Sequence, residues 1–214
     1  MAKLLGAFGS PFVRKVFVAL KEKGIPFEHE QVIPMGVSAE YRKISPLGKI
    51  PAYQDGDKTL ADSSVIIAYL EKTHPQPALY PSDPYDYARA LWFEEYGDGG
   101  LAPISGARVF FPKVIAPRFL KQEPNLAEIQ KVVDNELPPM FDYLEGELGN
   151  REYFVANKFT IADIGIATQF VNFMLAGYSV DAKRWPKLAA HITRIHSRPT
   201  FKEAIDQEKK MLGL

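Results

Sequence analysis

The sequence predicts an α/β unit followed by an all-helical unit. Three observations carry that prediction. Strand-like and helix-like apolar patterns alternate through residue 74. Pro75, Pro77, Pro81 and Pro84 then fall within ten residues, a density that blocks regular structure and marks a linker. Beyond them, every long segment carries helical periodicity. Residues 1–74 are therefore expected to form the α/β domain, 75–84 the linker and 85–214 the helical domain.

Lys3 to Ala7 is a short apolar run that reads as a strand and ends in the turn Gly9-Ser10-Pro11. Ser10 suits an N-cap and Pro11 the first helical position, so a helix carrying Val13, Val16, Phe17 and Leu20 is expected, ending at Gly24. Phe27 to Ile33 reads as a second strand, and Ser38 to Ile44 as a short helix. Pro51–Tyr53 and Lys58–Leu60 flank Asp55-Gly56, a hairpin signal. Asp62 caps a helix carrying Val65, Ile66, Ile67, Tyr69 and Leu70. The first domain thus reads βαβαββα.

In the second part, Tyr85 to about Val109 reads as a helix, bent or broken at Gly99-Gly100 and Pro103. Asn125 to Leu148 carries one broad apolar stripe from Leu126 through Leu137 to Leu148, and Pro138-Pro139 predicts a kink or a split. Thr160 to Asp163 reads as a capping box, with Phe159 and Ile164 as a hydrophobic staple. Ile164 to Leu175 is apolar nearly all round, so that helix is expected at the centre. Two more helices start near Pro186 and Thr200.

Composition excludes several classes of function. Basic and acidic side chains balance at 26 each, so net charge provides no pull toward nucleic acid or an anionic membrane. No run approaches the roughly 20 apolar residues of a membrane span, and Met1–Gly6 lacks the apolar core of a signal peptide. A soluble, cytoplasmic enzyme or binding protein is expected. With no cysteine, disulfides, thiolate metal sites and a cysteine nucleophile are ruled out. The four histidines fall in no metal-binding spacing.

The motifs Gly9-Ser10-Pro11, Ser45-Pro46-Leu47-Gly48-Lys49-Ile50-Pro51, Asp62-Ser63, Thr160-Ile161-Ala162-Asp163, Trp185-Pro186-Lys187-Leu188 and Arg198-Pro199 follow one another in order along the whole chain. Each is weak alone. Together the chain resembles the glutathione transferase family, in its cytosolic, bacterial-like form. The resemblance implies a thioredoxin-like N-terminal domain, a helical C-terminal domain that contributes the electrophile pocket, and a homodimer. It implies no bound cofactor, since glutathione enters as a co-substrate.

It also implies a site. The proline matching Pro51 is cis in such proteins, which turns the Ile50 backbone toward the cysteinyl part of glutathione, as if extending a sheet. Asp62 and Ser63 match the acidic residue and serine that hold the γ-glutamyl end: the carboxylate on the Ser63 hydroxyl and amide, the ammonium on Asp62. A plain helix cap is the other reading of Asp62, and one carboxylate has acceptor sites for both roles. Lys49 reaches the glycyl carboxylate or is simply an exposed lysine.

The family activates the thiol with tyrosine, serine or cysteine near the end of the first strand. Tyr41 lies well beyond that strand and cysteine is absent, so Ser10 is the matching residue. It would donate a hydrogen bond to the thiolate, or serve only as the N-cap before Pro11. Phe12 and Arg14, one turn on, edge the site, with the core as the other reading of Phe12. Arg108, Phe110 and Phe111 are candidates for an apolar electrophile pocket between the domains, or else ordinary packing.

The function implied is conjugation of glutathione to a small, largely apolar electrophile. The alternatives are glutathione-dependent peroxide or disulfide reduction, and a non-catalytic glutathione-binding module of the same fold.

Overall fold

Strand β1 (Ala2–Leu5) runs between β2 (Phe27–Glu30) and β3 (Ala52–Asp55), and β4 (Lys58–Ala61) lies outside β3. The computed structural model describes residues 1–214. β1 and β2 are parallel, and a parallel pair needs a crossover, which α1 (Pro11–Glu22) provides. β3 is antiparallel to β1 and to β4, and Gly56-Asp57 closes the hairpin. With α2 (Ala39–Ile44) and α3 (Ser63–Thr73), the order is the predicted βαβαββα. The fold is thioredoxin-like with a mixed four-stranded sheet, as the resemblance implied.

Two strands stop short of expectation. β1 ends at Leu5 because Gly6 leaves strand geometry with φ +156°, where a Cβ would lie 2.5 Å from a Val13 methyl. β2 ends at Glu30, and Val32 packs instead on the cluster of Leu5, Tyr41 and Ala52. Helix α1 is buried continuously from Val13 to Leu20, and that stretch includes Arg14 and Lys15.

The chain divides into two compact units, Met1–Leu79 with Thr200–Leu214, and Tyr80–Pro199. By its contacts the last helix, α9 (Pro199–Leu212), groups with Met1–Leu79 from Thr200 onward. Thr200 Oγ1 donates to Glu22 Oε1 at 2.6 Å, Lys21 pairs with Glu203 at 2.7 Å, and Arg14 pairs with Glu208. These polar partners lie on α1, and the buried Phe201, Ala204, Ile205 and Leu212 form the apolar face of α9.

The proline-rich segment is anchored. Buried Lys23 Nζ donates to the carbonyls of His74 (2.8 Å) and Pro77 (2.9 Å) and pairs with Glu71 at 2.7 Å. Pro84 then opens α4 (Pro84–Glu95), with Asp83 accepting the amides of Tyr85 and Asp86.

In the second unit, of the bend or break expected at Gly99-Gly100 and Pro103, the break does not occur. Tyr96–Leu120 continues as helix with wide, π-type turns through Pro103, Pro112 and Pro117. A proline ring in a regular α-helix collides with the carbonyl four residues back, and a wider turn makes room for it. The predicted split does occur: α5 (Leu126–Asn135) gives way to α6 (Leu137–Leu148), whose first turn takes both prolines. Helix α7 (Ile161–Leu175) is buried at every position except Met174, and α8 (Pro186–His196) follows. No helix is long and apolar enough to cross a membrane.

Candidate functional site

Sheet register gathers the predicted site. Leu5 pairs with Ala52, and Ala52 with Ala61. One end of the sheet therefore holds the loop leaving β1, the segment Ile50-Pro51 entering β3, and the turn Asp62-Ser63 leaving β4. Both α1 and α3 start from that end, so two helix N-termini, whose first amides have no acceptor within the helix and carry partial positive charge, flank it. The Ile50 Cβ lies 3.4 Å from where a Cβ on Gly6 would be, which places the two loops side by side.

Ser10 is half-buried at the N-cap of α1, in extended conformation, and its Oγ accepts the Val13 amide at a long 3.4 Å. That bond leaves the hydroxyl hydrogen for another acceptor. The loop before it rests on β2. His29 Nε2 lies 2.8 Å from the Gly6 carbonyl, and the Phe8 amide donates to Gln31 Oε1 at 3.2 Å. The Phe8 ring meets the His29 ring edge-on at 4.2 Å, and burial lowers the His29 pKa although the Gly6 bond opposes it.

The Ile50–Pro51 peptide is cis, and Pro51 is buried. The residues before it form a tight anchor: the Gly48 amide bonds the Ser45 carbonyl at 2.8 Å. Ser45 Oγ (2.7 Å) and the Tyr41 hydroxyl (3.0 Å) both donate to the Lys49 carbonyl. Burial pushes the Tyr41 hydroxyl up to about 12, so it stays a donor. The Lys49 backbone is thereby fixed, while its exposed side chain makes no bond within the protein.

Asp62 caps α3, accepting the amides of Ser64 (2.9 Å) and Val65 (3.2 Å) through one oxygen, Oδ1. Its φ of +79° is unusual for a residue with a Cβ, and such strain, on the order of 1–3 kcal/mol, collects at functional positions. The cap uses only Oδ1 of the carboxylate. Ser63, at 2% exposure, keeps a hydroxyl without a partner in the protein, whereas Ser64 Oγ accepts from buried Lys15 at 2.9 Å.

Four of the remaining candidates resolve differently. Arg14 does not edge the site: it is fully buried and bound to Glu208. Phe110 is core, Phe111 is 39% exposed, and Arg108 is paired with Glu136.

Lys15, His29, Gln31 and Glu208 support this end of the sheet and were not singled out from the sequence. Arg14-Lys15, two charges inside the apolar run from Phe12 to Leu20, is the signal that could have flagged buried partners. Glu208 has no such signal, because its partners are nearly the whole chain away.

Comparison with known proteins identifies the family. Residues 4–78 match the glutathione S-transferase N-terminal domain and residues 111–208 the C-terminal domain. A probable glutathione S-transferase of Nicotiana tabacum is 33% identical, over 99% of this chain and 91% of that protein. The uncharacterised GST-like protein YibF of Escherichia coli is 31% identical, over 93% of this chain and 96% of that protein. A glutathione S-transferase of Methylobacterium radiotolerans, solved in complex with glutathione sulfonate, has a TM-score of 0.76 at 28% identity, covering 95% of this chain and 94% of that one. Family domains matched over most of the length, on a sheet whose register assembles the expected motifs, place this chain in the glutathione transferase family.

Proposed function

We propose that this protein conjugates the thiolate of glutathione to a small, largely apolar electrophile. The observation that carries the reading is the Leu5–Ala52–Ala61 register, which sets Ser10, Ile50-Pro51 and Asp62-Ser63 at one end of one sheet.

Each end of the tripeptide has a matching group. The γ-glutamyl carboxylate takes the free Ser63 hydroxyl and the Ser63 amide at the start of α3. Its ammonium faces Asp62, whose cap uses only one oxygen. The cysteinyl backbone pairs with Ile50, and Lys49, with no partner of its own, reaches the glycyl carboxylate.

A free thiol has a pKa of about 8.5, so little thiolate exists at neutral pH. Ser10 donates its hydroxyl hydrogen to the sulfur, beside the positive end of α1. One hydrogen bond to a charged acceptor is worth about 1.5–3 kcal/mol, enough to lower the thiol pKa by one to two units. The thiol proton leaves to solvent, the sulfur lone pair forms a bond to the electrophilic carbon, and the leaving group departs with its electron pair. Ser10 forms no covalent bond.

In this reading the protein acts in the cytoplasm as a homodimer. Trp92, 46% exposed on α4, supplies apolar surface for a second copy.

Retention on immobilised glutathione, followed by turnover of a generic aryl halide, tests the proposal. Failure to bind glutathione would overturn it. Binding with turnover only of peroxides or mixed disulfides would replace conjugation by reduction, and binding without turnover of either would leave a binding module.

A further inference from the structure

Glu208 lies near the C-terminus, on α9, yet it grips both sides of Ser10. Its carboxylate accepts from Arg14 Nε at 2.8 Å and from a second nitrogen of the same guanidinium. It also accepts the amide of Gly9, the residue before Ser10. The Arg14 amide in turn holds the Ser10 carbonyl at 3.0 Å. Gly9, Ser10 and Arg14 are therefore fixed from one point. That point is itself fastened by Thr200 to Glu22 and by Glu203 to Lys21.

Stability is a weak account of this arrangement. A buried ion pair forfeits the hydration of two charges, and well-packed apolar residues often replace one without loss. Geometry is a better account. A bidentate guanidinium–carboxylate pair has a fixed plane, and the amide bound to the same carboxylate inherits that placement. Arg14 also cancels the charge of Glu208, so the anchor adds no net negative charge beside a thiolate.

We propose that Glu208 is a positioning residue for thiol activation: through the Gly9 amide and Arg14 it holds the Ser10 hydroxyl aimed at the glutathione sulfur. The proposal rests on the reading of Ser10 given above. It makes α9 part of the glutathione site although none of its residues touches the ligand.

The test compares wild type, Ser10→Ala, Glu208→Gln and the double variant Arg14→Met/Glu208→Met, which leaves no lone buried charge. The readouts are the pKa of bound glutathione, from thiolate ultraviolet absorbance, and the split between kcat and KM. In both Glu208 variants the bound thiol pKa should rise by about one unit, and kcat at neutral pH should fall about tenfold. KM for glutathione should stay within about twofold, because Asp62 and Ser63 are untouched.

An unchanged pKa in a folded Glu208 variant, with a raised pKa in Ser10→Ala, removes Glu208 and leaves Ser10 in place. An unchanged pKa in Ser10→Ala removes the Ser10 reading itself. Should neither Glu208 variant fold, amide exchange in the wild-type protein decides: a Gly9 amide exchanging as fast as an exposed loop amide overturns the proposal, and a strongly protected one supports it.

Discussion

His191 Nε2 lies 3.5 Å from Asp163 Oδ1, and both side chains are shielded from solvent. His191 Nδ1 is 3.0 Å from the Glu152 carbonyl oxygen, which only accepts, so Nδ1 carries the hydrogen and Nε2 of the neutral ring is bare. Asp163 accepts the amides of Phe154 (3.1 Å) and Thr160 (2.8 Å). Burial nevertheless raises its carboxyl to about 7, and burial lowers the His191 imidazole to about 4. Between those limits Asp163 keeps its proton and His191 is neutral.

The pH dependence of stability follows from the two shifts. An acid raised from 3.8 to about 7 contributes stability that is lost as pH rises through that window. A base lowered from 6.5 to about 4 contributes stability that is lost as pH falls through its own window. The two slopes cancel between about pH 4 and 6.5. His191→Gln removes one of them. Relative to wild type, the variant should lose stability with rising pH, by up to about 1.4 kcal/mol per unit. Urea unfolding at about pH 4.5 and about pH 6.5 checks this. A constant difference between the two proteins would contradict it.

Ser10→Ala separates the thiol role from the cap. Loss of one hydrogen bond to a thiolate should reduce kcat about tenfold to a hundredfold, with KM for glutathione nearly unchanged. Loss of a cap alone would lower the melting temperature and leave kcat unmoved. Steady-state kinetics beside a thermal melt distinguishes the two.

Asp62→Asn and Asp62→Ala divide the two roles of Asp62. Asparagine still accepts the Ser64 and Val65 amides, so stability should change by less than about 0.5 kcal/mol, while alanine should cost about 1 kcal/mol. Both remove the charge opposite the γ-glutamyl ammonium, and both should weaken glutathione binding at least about tenfold. Titration calorimetry measures the binding. Wild-type affinity in Asp62→Asn would make Asp62 a cap only.

Gly97→Ala tests how closely the helices of the second unit approach. A Cβ there would lie 2.5 Å from the Gly165 carbonyl oxygen, and backbone cannot rotate aside as a side chain can. The variant should be less stable by roughly 1–3 kcal/mol or more. Gly106→Ala, in the same helical segment, meets nothing within 4 Å and should be neutral or gain up to about 1 kcal/mol. Equal melting temperatures for the two variants would show that the backbones do not touch there.

The parts of the site legible in the sequence are those built from near neighbours. Asp62 and its helix, Ser10 before Pro11, and Ser45 to Pro51 each form a structure closed within a few residues, and their spacing carried the family resemblance. Tyr96–Leu120 is legible as helix but not in its wide turns. Gly99-Gly100 and Pro103 signal a bend or break by local rules, whereas the helix continues through them, packed against α4, α5, α6 and α7.

By itself the sequence determined the order of elements, the helix caps and the site motifs, because periodicity and capping depend on residues within about one turn of each other. The tertiary structure alone decided what the buried charges do. Arg14, Lys15 and Lys23 stand on one helix and its cap, and nothing local tells that their partners are Glu208, Ser64 and Glu71. A charge leaves water only where its partner is already in place. That partner is fixed by the fold, and here the fold brings the last helix back to the loop that carries Ser10.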